Sequence, residues 1–161
     1  MLVPAITKKI EIEEQIKKLF YTDDMMFETG CMDNWIPDIV DNPDMNTYQF
    51  AIVNKDDNLL GYLTYYIDWY SSCASRFGII SFDKGNPIVG RALLNEMEKL
   101  VNGYNLHRIE WRMIGGNPIE KHYDKFCKKY NGKKHVLTDV FKDRYGNYHD
   151  DIIYEIIRNK L

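Results

Sequence analysis

Two copies of one tetrapeptide constrain this chain's fold more than anything else in its sequence. Gly85-Asn86-Pro87-Ile88 and Gly116-Asn117-Pro118-Ile119 each follow a short apolar run and each precede a helical stripe. The chemistry of the repeat is that of a helix start. An Asn side chain accepts from the unpaired N–H groups of a first turn, and a proline at the first helical position gives up no donor that the helix needs. After the first copy, Val89, Ala92, Leu93, Met97, Leu100 and Val101 share one face at helical spacing. After the second, Ile119, Tyr123, Phe126, Cys127 and Tyr130 do the same. Arg76–Phe82 reads as a strand before the first copy, and His107–Ile114 as a strand between the two helices. A strand–helix–strand unit of this kind is a parallel crossover with the usual right hand. The fold class is therefore α/β with a mixed sheet.

The rest of the sheet is antiparallel. Tyr48–Val53 and Leu59–Trp69 are strand-like, and the polar turn Lys55-Asp56-Asp57-Asn58 joins them as a hairpin. Val136–Phe141 and Ile152–Ile157 form a closing pair around Asp143-Arg144-Tyr145-Gly146-Asn147, which supplies turn chemistry. Upstream, Ile12, Ile16, Leu19 and Phe20 give Glu11–Phe20 a helical stripe. A second helix is expected over Asp23–Met32, before Pro37 and Pro43 break the pattern. The predicted order is two helices, three strands, helix, strand, helix and two strands, about four helices in all.

Length and composition narrow the function classes. At 161 residues a single domain over 1–161 is expected, large enough to bury a core without disulfide staples. A formal net charge of −3 argues against a dedicated nucleic-acid or anionic-membrane binder. Cys31, Cys73 and Cys127 are far apart, and His107, His122, His135 and His149 are equally scattered, so neither a disulfide framework nor a metal site is expected. No run approaches 18 apolar residues, and Met1–Ile10 lacks the pattern of a secretory signal. Free thiols without an export signal point to the cytoplasm.

Ligands of open α/β sheets favour the crevice at the carboxyl ends of parallel strands. Here that crevice borders the junction from Phe82 to Arg91. A helix N-terminus offers unpaired amides and a positive dipole end to an anion. The candidate donors are the amides of Ile88, Val89, Gly90 and Arg91. Gly90, with no side chain, lets a phosphate approach the backbone.

The run Gly90-Arg91-Ala92-Leu93-Leu94-Asn95-Glu96-Met97-Glu98-Lys99-Leu100 resembles the helix after the acetyl-CoA loop of the GCN5-related N-acetyltransferases. His107–Arg112 is similar to the family's next strand. Asn117 and Tyr123 fall where that family has an Asn and a Tyr, and Asp150–Tyr154 resembles its closing hairpin. The likeness covers about residues 48–157. Of the loop pattern Gln/Arg-x-x-Gly-x-Gly/Ala only the last position is kept, as Gly90. Gly85 and Ile88 stand at the other two, and Asn117 to Tyr123 is one residue shorter than the common spacing.

The resemblance implies a mostly antiparallel sheet with a central, splayed parallel strand pair, and acetyl-CoA as co-substrate without a metal. Ser81, Phe82 and Asp83 would line the pantetheine arm, which adds to the strand as an extra strand would. The amides of Ile88, Val89, Gly90 and Arg91 would carry the diphosphate, and Asn117 would orient the pantetheine. Tyr123 would protonate the departing thiolate, although its place on the apolar stripe also suits a core tyrosine. The implied partner is a small-molecule or peptide amine, with no nucleic acid and no membrane; a homodimer stays open. No base is assigned, with Asp68, Glu110, His107 and His122 all in view. Tyr62, Tyr65, Tyr66, Trp69 and Tyr70 alternate across one strand, so some are core, while Tyr66 and Tyr70 suit an acceptor groove. Because the loop is altered, a non-catalytic binding module on the same scaffold is the alternative.

Overall fold

The computed structural model describes residues 1–19, 22, 27, 37–41 and 44–158. In chain order these form β1 (Leu2–Pro4), a 3-10 turn (Ala5–Lys8), α1 (Lys9–Leu19), β2 (Thr47–Val53), β3 (Leu59–Asp68) and β4 (Cys73–Ser81). They continue with α2 (Pro87–Asn102), β5 (Arg108–Ile114), α3 (Glu120–Lys129), β6 (Lys133–Lys142) and β7 (Tyr148–Ile157). The described residues thus hold three α-helices where the sequence suggests about four. Apart from Phe27, the helix expected over Asp23–Met32 lies outside the described residues. No helix among the described residues is long and apolar enough to cross a membrane.

One seven-stranded sheet runs in the order β1-β2-β3-β4-β5-β7-β6, and every neighbouring pair except β4–β5 is antiparallel. β1 has no counterpart in the sequence reading. Three residues ending in a proline carry no periodicity. What holds them is tertiary: Leu2 lies opposite Ile52, and the Met1 amino group donates to the Val53 carbonyl at 2.8 Å.

The sheet is covered on both faces. Ile12 and Ile16 of α1 pack with Ala51, Val53, Tyr62 and Ile80. On the other face Leu93, Met97 and Leu100 of α2, with Tyr123 and Phe126 of α3, meet Leu63, Tyr65, Phe77, Trp111 and Tyr154. Period-2 alternation explains the assignment: Tyr62 and Tyr65, three residues apart on β3, are buried on opposite faces. Gly61 is needed because a Cβ there would sit 2.7 Å from the Ile80 carbonyl oxygen on the neighbouring strand.

The parallel pair is where the sheet opens. Cys73 lies opposite Arg108, Ala74 opposite Ile109 and, after a bulge, Phe77 opposite Trp111, the last rung between these strands. Arg76 in the bulge has φ of 52°, a left-handed conformation that bends the strand. Beyond Phe77, β4 follows β3 to the Gly61–Ser81 pair, while β5 follows β7 to the Ile114–Asp151 pair. Each strand keeps its antiparallel partner, so the two diverge, as the family resemblance implies.

Candidate functional site

A cleft of about 760 Å³ opens where β4 and β5 part, bounded by the first turns of α2 and α3. Phe77, Ile79 and Met113 line it from the helix-covered face, whereas Gly78 and Arg112, by alternation, belong to the opposite face. The cleft therefore passes through the plane of the sheet. The Phe82 amide donates to the Leu60 carbonyl at 2.9 Å, so residues of its parity on β4 turn their peptide groups toward β3. Those of Ile79 and Ser81 consequently face the gap.

At the start of α2, Asn86 is the cap its sequence promised. Its Oδ1 accepts from the Ile88 amide at 2.9 Å, and its carbonyl accepts from the Val89 amide at 3.1 Å. Two of the four expected anion donors are thus already bonded. Val89, Gly90 and Arg91 line the cleft, and a Cβ at Gly90 would meet nothing within 4 Å, so open space faces that turn. Ile88 instead packs its side chain against the main core. Asn86→Ala should cost about 1 kcal/mol of stability through the lost cap, readable as a lower urea midpoint.

Before α3, Asn117 makes the same local bond, its Oδ1 accepting from the Ile119 amide at 3.1 Å. It caps a turn and not the helix: α3 starts only at Glu120 with Ile119 at its cap, so Pro118 is not the first helical residue that the sequence predicts. Asn117 Nδ2 donates to the Phe27 carbonyl at 3.3 Å, tying this turn to a residue that lines the cleft. Tyr123, one turn into α3, is 4% exposed and forms part of the cleft wall. Its ring stands edge-on to Trp111 and Tyr154, with centroids 5.9 and 5.8 Å away. It is thus a core ring set in a cleft wall.

No protein-family model matches the chain, and no curated protein matches it either. Solved structures do. The spermidine/spermine N-acetyltransferase SpeG from Vibrio cholerae, in complex with manganese ions, superposes with a TM-score of 0.56 at 23% identity. The match spans 71% of this chain and 66% of that one, so this chain covers just under two thirds of that neighbour's length. A chimera of the Vibrio cholerae SpeG with hSSAT gives a TM-score of 0.55 at 21% identity, over 71% of this chain and 69% of that one. The chain has the GCN5-related N-acetyltransferase fold.

On this scaffold the expected site residues divide. Ser81, Val89, Gly90, Arg91, Asn117 and Tyr123 line the cleft. Phe82 and Asp83 lie outside that lining. The Phe82 side chain packs on the α1 face. Asp83 closes the turn, its carbonyl accepting from Ser81 Oγ at 3.0 Å and from the Asn86 amide at 3.1 Å. Its Oδ2 accepts from Asn86 Nδ2 at 2.7 Å. A carboxylate at this corner has the wrong sign to hold a diphosphate.

Of the four base candidates, only His122 lines the cleft. Asp68 accepts from the Tyr70 and Ser71 amides and from the Ser71 hydroxyl, which pull its pKa down, so it is a turn residue. Glu110 pairs with Arg108 at 2.5 Å. Tyr66 and Tyr70 also stand apart from the lining: the Tyr66 hydroxyl accepts from Asn46 Nδ2 at 2.9 Å, and Tyr70 is fully exposed. Tyr65 instead serves the site from behind. Its ring stacks on Phe77 at 5.5 Å while its hydroxyl donates to the buried Glu96 at 2.7 Å. Burial and that carboxylate push the phenol pKa up. This pinned stack fixes the ring at the apex of the splay.

Sequence reasoning passed over a further pair. In the β6–β7 hairpin, His149 Nε2 lies 3.2 Å from Asp143 Oδ2, and the His149 ring stands edge-on to Phe27 at 5.8 Å. The lysines near α3 are engaged: Lys134 with Glu120 and Asp124, and Lys129 with Glu98. Among the described residues no cluster of His, Cys, Asp and Glu could hold a metal ion.

Proposed function

We propose that this chain is an acetyl-CoA-dependent N-acetyltransferase that moves an acetyl group onto a primary amine by direct transfer in a ternary complex. The observation that carries the reading is the cleft through the splayed strands, with Tyr123 in its wall. The outward peptide groups of Ile79 and Ser81 suit an extended amide-bearing arm laid along β4 as an added strand. Gly90 and Arg91 would hold the diphosphate: the first gives open access to the backbone, and the second adds a cation. Asn117 would position the arm at the turn before α3. Bound acetyl-CoA supplies an activated acyl group. Tyr123 then gives its phenolic proton to the thiolate that leaves as the amide forms. The free thiols Cys73 and Cys127 both lie outside the cleft lining, and burial raises the Cys127 pKa, so neither supports an acyl-enzyme route. A reducing compartment, the cytoplasm, suits them.

One observation favours the second reading, a binding module that has lost the diphosphate. Asn86 already occupies the Ile88 and Val89 amides, with the Asp83 carboxylate beside it. Calorimetry and thermal melting with acetyl-CoA separate the two. At one hundred times Kd the native state should gain about 2.7 kcal/mol and the melting midpoint should rise. No shift at millimolar acetyl-CoA would favour the module. Spermidine is the first acceptor to try, because the structural neighbours are spermidine N-acetyltransferases.

A further inference from the structure

We propose that His149, held by Asp143, is the general base that takes the proton from the attacking amine; this rests on the acetyltransferase reading above. Three observations carry it. First, by alternation from Asp151, His149 lies on the sheet face opposite α2 and α3. It stands just past the end of β5, since Ile114 pairs with Asp151 and the Gly115 amide donates to the Asp150 carbonyl. Tyr123 comes from the helix-covered face, so the two groups approach this end of the sheet from opposite faces. Second, the His149 ring, itself outside the cleft lining, packs edge-on against Phe27, a residue that lines the cleft. Third, the imidazole is oriented rather than loose. Its Nε2 meets Asp143 Oδ2, and that carboxylate is fixed by the Tyr145 amide at 2.9 Å and by the Asn147 amide and Nδ2 at 2.8 and 2.9 Å.

These bonds, the Asn147 side chain first, bring the Asp143 pKa down to about 2. Asp143 is therefore an anion at any working pH and keeps the tautomer in which Nε2 carries the proton. Nδ1 is then the acceptor. Asp150, the next carboxylate along β7, is turned to the Asp139 amide at 3.1 Å.

The step balances. The amine nitrogen bonds to the acyl carbon and loses a proton to His149 Nδ1, while the carbon–sulfur bond breaks and the thiolate takes the Tyr123 proton. Solvent returns His149 and Tyr123 to their starting states.

The test uses the full chain, acetyl-CoA and three primary amines: spermidine, a lysine side chain in a blocked peptide, and a peptide with a free N-terminus. His149→Ala should bind acetyl-CoA with wild-type affinity yet lose roughly 100-fold or more in kcat. Added imidazole should restore part of that loss. His149→Gln, which can still bond Asp143 but is no base, should be equally slow. Wild-type turnover in His149→Gln, or a slow His149→Ala that imidazole does not rescue, would overturn the assignment alone. A wild-type chain that binds acetyl-CoA but acetylates none of the three would overturn it together with the catalytic reading. Failure to bind acetyl-CoA would remove both and leave the scaffold.

Discussion

Tyr123→Phe should lower kcat by roughly 100-fold while leaving acetyl-CoA affinity and stability near wild type. The substitution removes one oxygen and keeps the ring. That ring is what the core uses, through its edge-on contacts with Trp111 and Tyr154. A thiol titrates near pH 8.5 and a phenol near pH 10, so proton transfer from tyrosine to a leaving thiolate is not downhill by itself. The gain comes from having the donor in place as charge develops on sulfur. Steady-state rates with acetyl-CoA in excess, beside calorimetric Kd values, separate loss of chemistry from loss of binding. Unchanged turnover would return Tyr123 to the core alone.

Trp111→Ala should destabilise the chain by about 3–5 kcal/mol. Trp111 is 1% exposed, lies in the last β4–β5 rung, stacks on Tyr154 at 5.3 Å and meets Tyr123 and Phe126 edge-on. Truncation would open a cavity between sheet and α3, beneath the cleft. Trp111→Phe should lose much less, for two reasons. It keeps a ring in the stack, and it removes the indole N–H, which is buried without a hydrogen-bond partner among the described residues. Urea midpoints at constant m-value report both. Equal loss in the two variants would mean that indole packing, not the cavity, sets the cost.

The secondary structure was legible wherever side chains had something periodic to say. The Val89–Val101 stripe gave α2 because one helix face meets an apolar sheet, and Asn86 and Asn117 marked the turns before α2 and α3. β6 was legible only in part, as Val136–Phe141. All but one of its residues are exposed, so no alternation marks its ends. Among candidate site residues, those tied to a local motif held their place by the cleft: Gly90, Arg91, Asn117 and Tyr123. Phe82 and Asp83 did not, because parity along β4 and a local turn decide where they face.

The sequence by itself determined α1 and the run from β2 to β7, their order and the turns before α2 and α3, since these follow from side-chain period and from hydrogen bonds within a few residues. Only the tertiary structure decided where β4 and β5 part, that β1 joins the sheet edge, and that Phe27 meets the Asp143–His149 pair. Those outcomes depend on groups brought together from distant parts of the chain. Such contacts leave no periodic trace in a sequence, because the energy that selects them arises only once the sheet has formed.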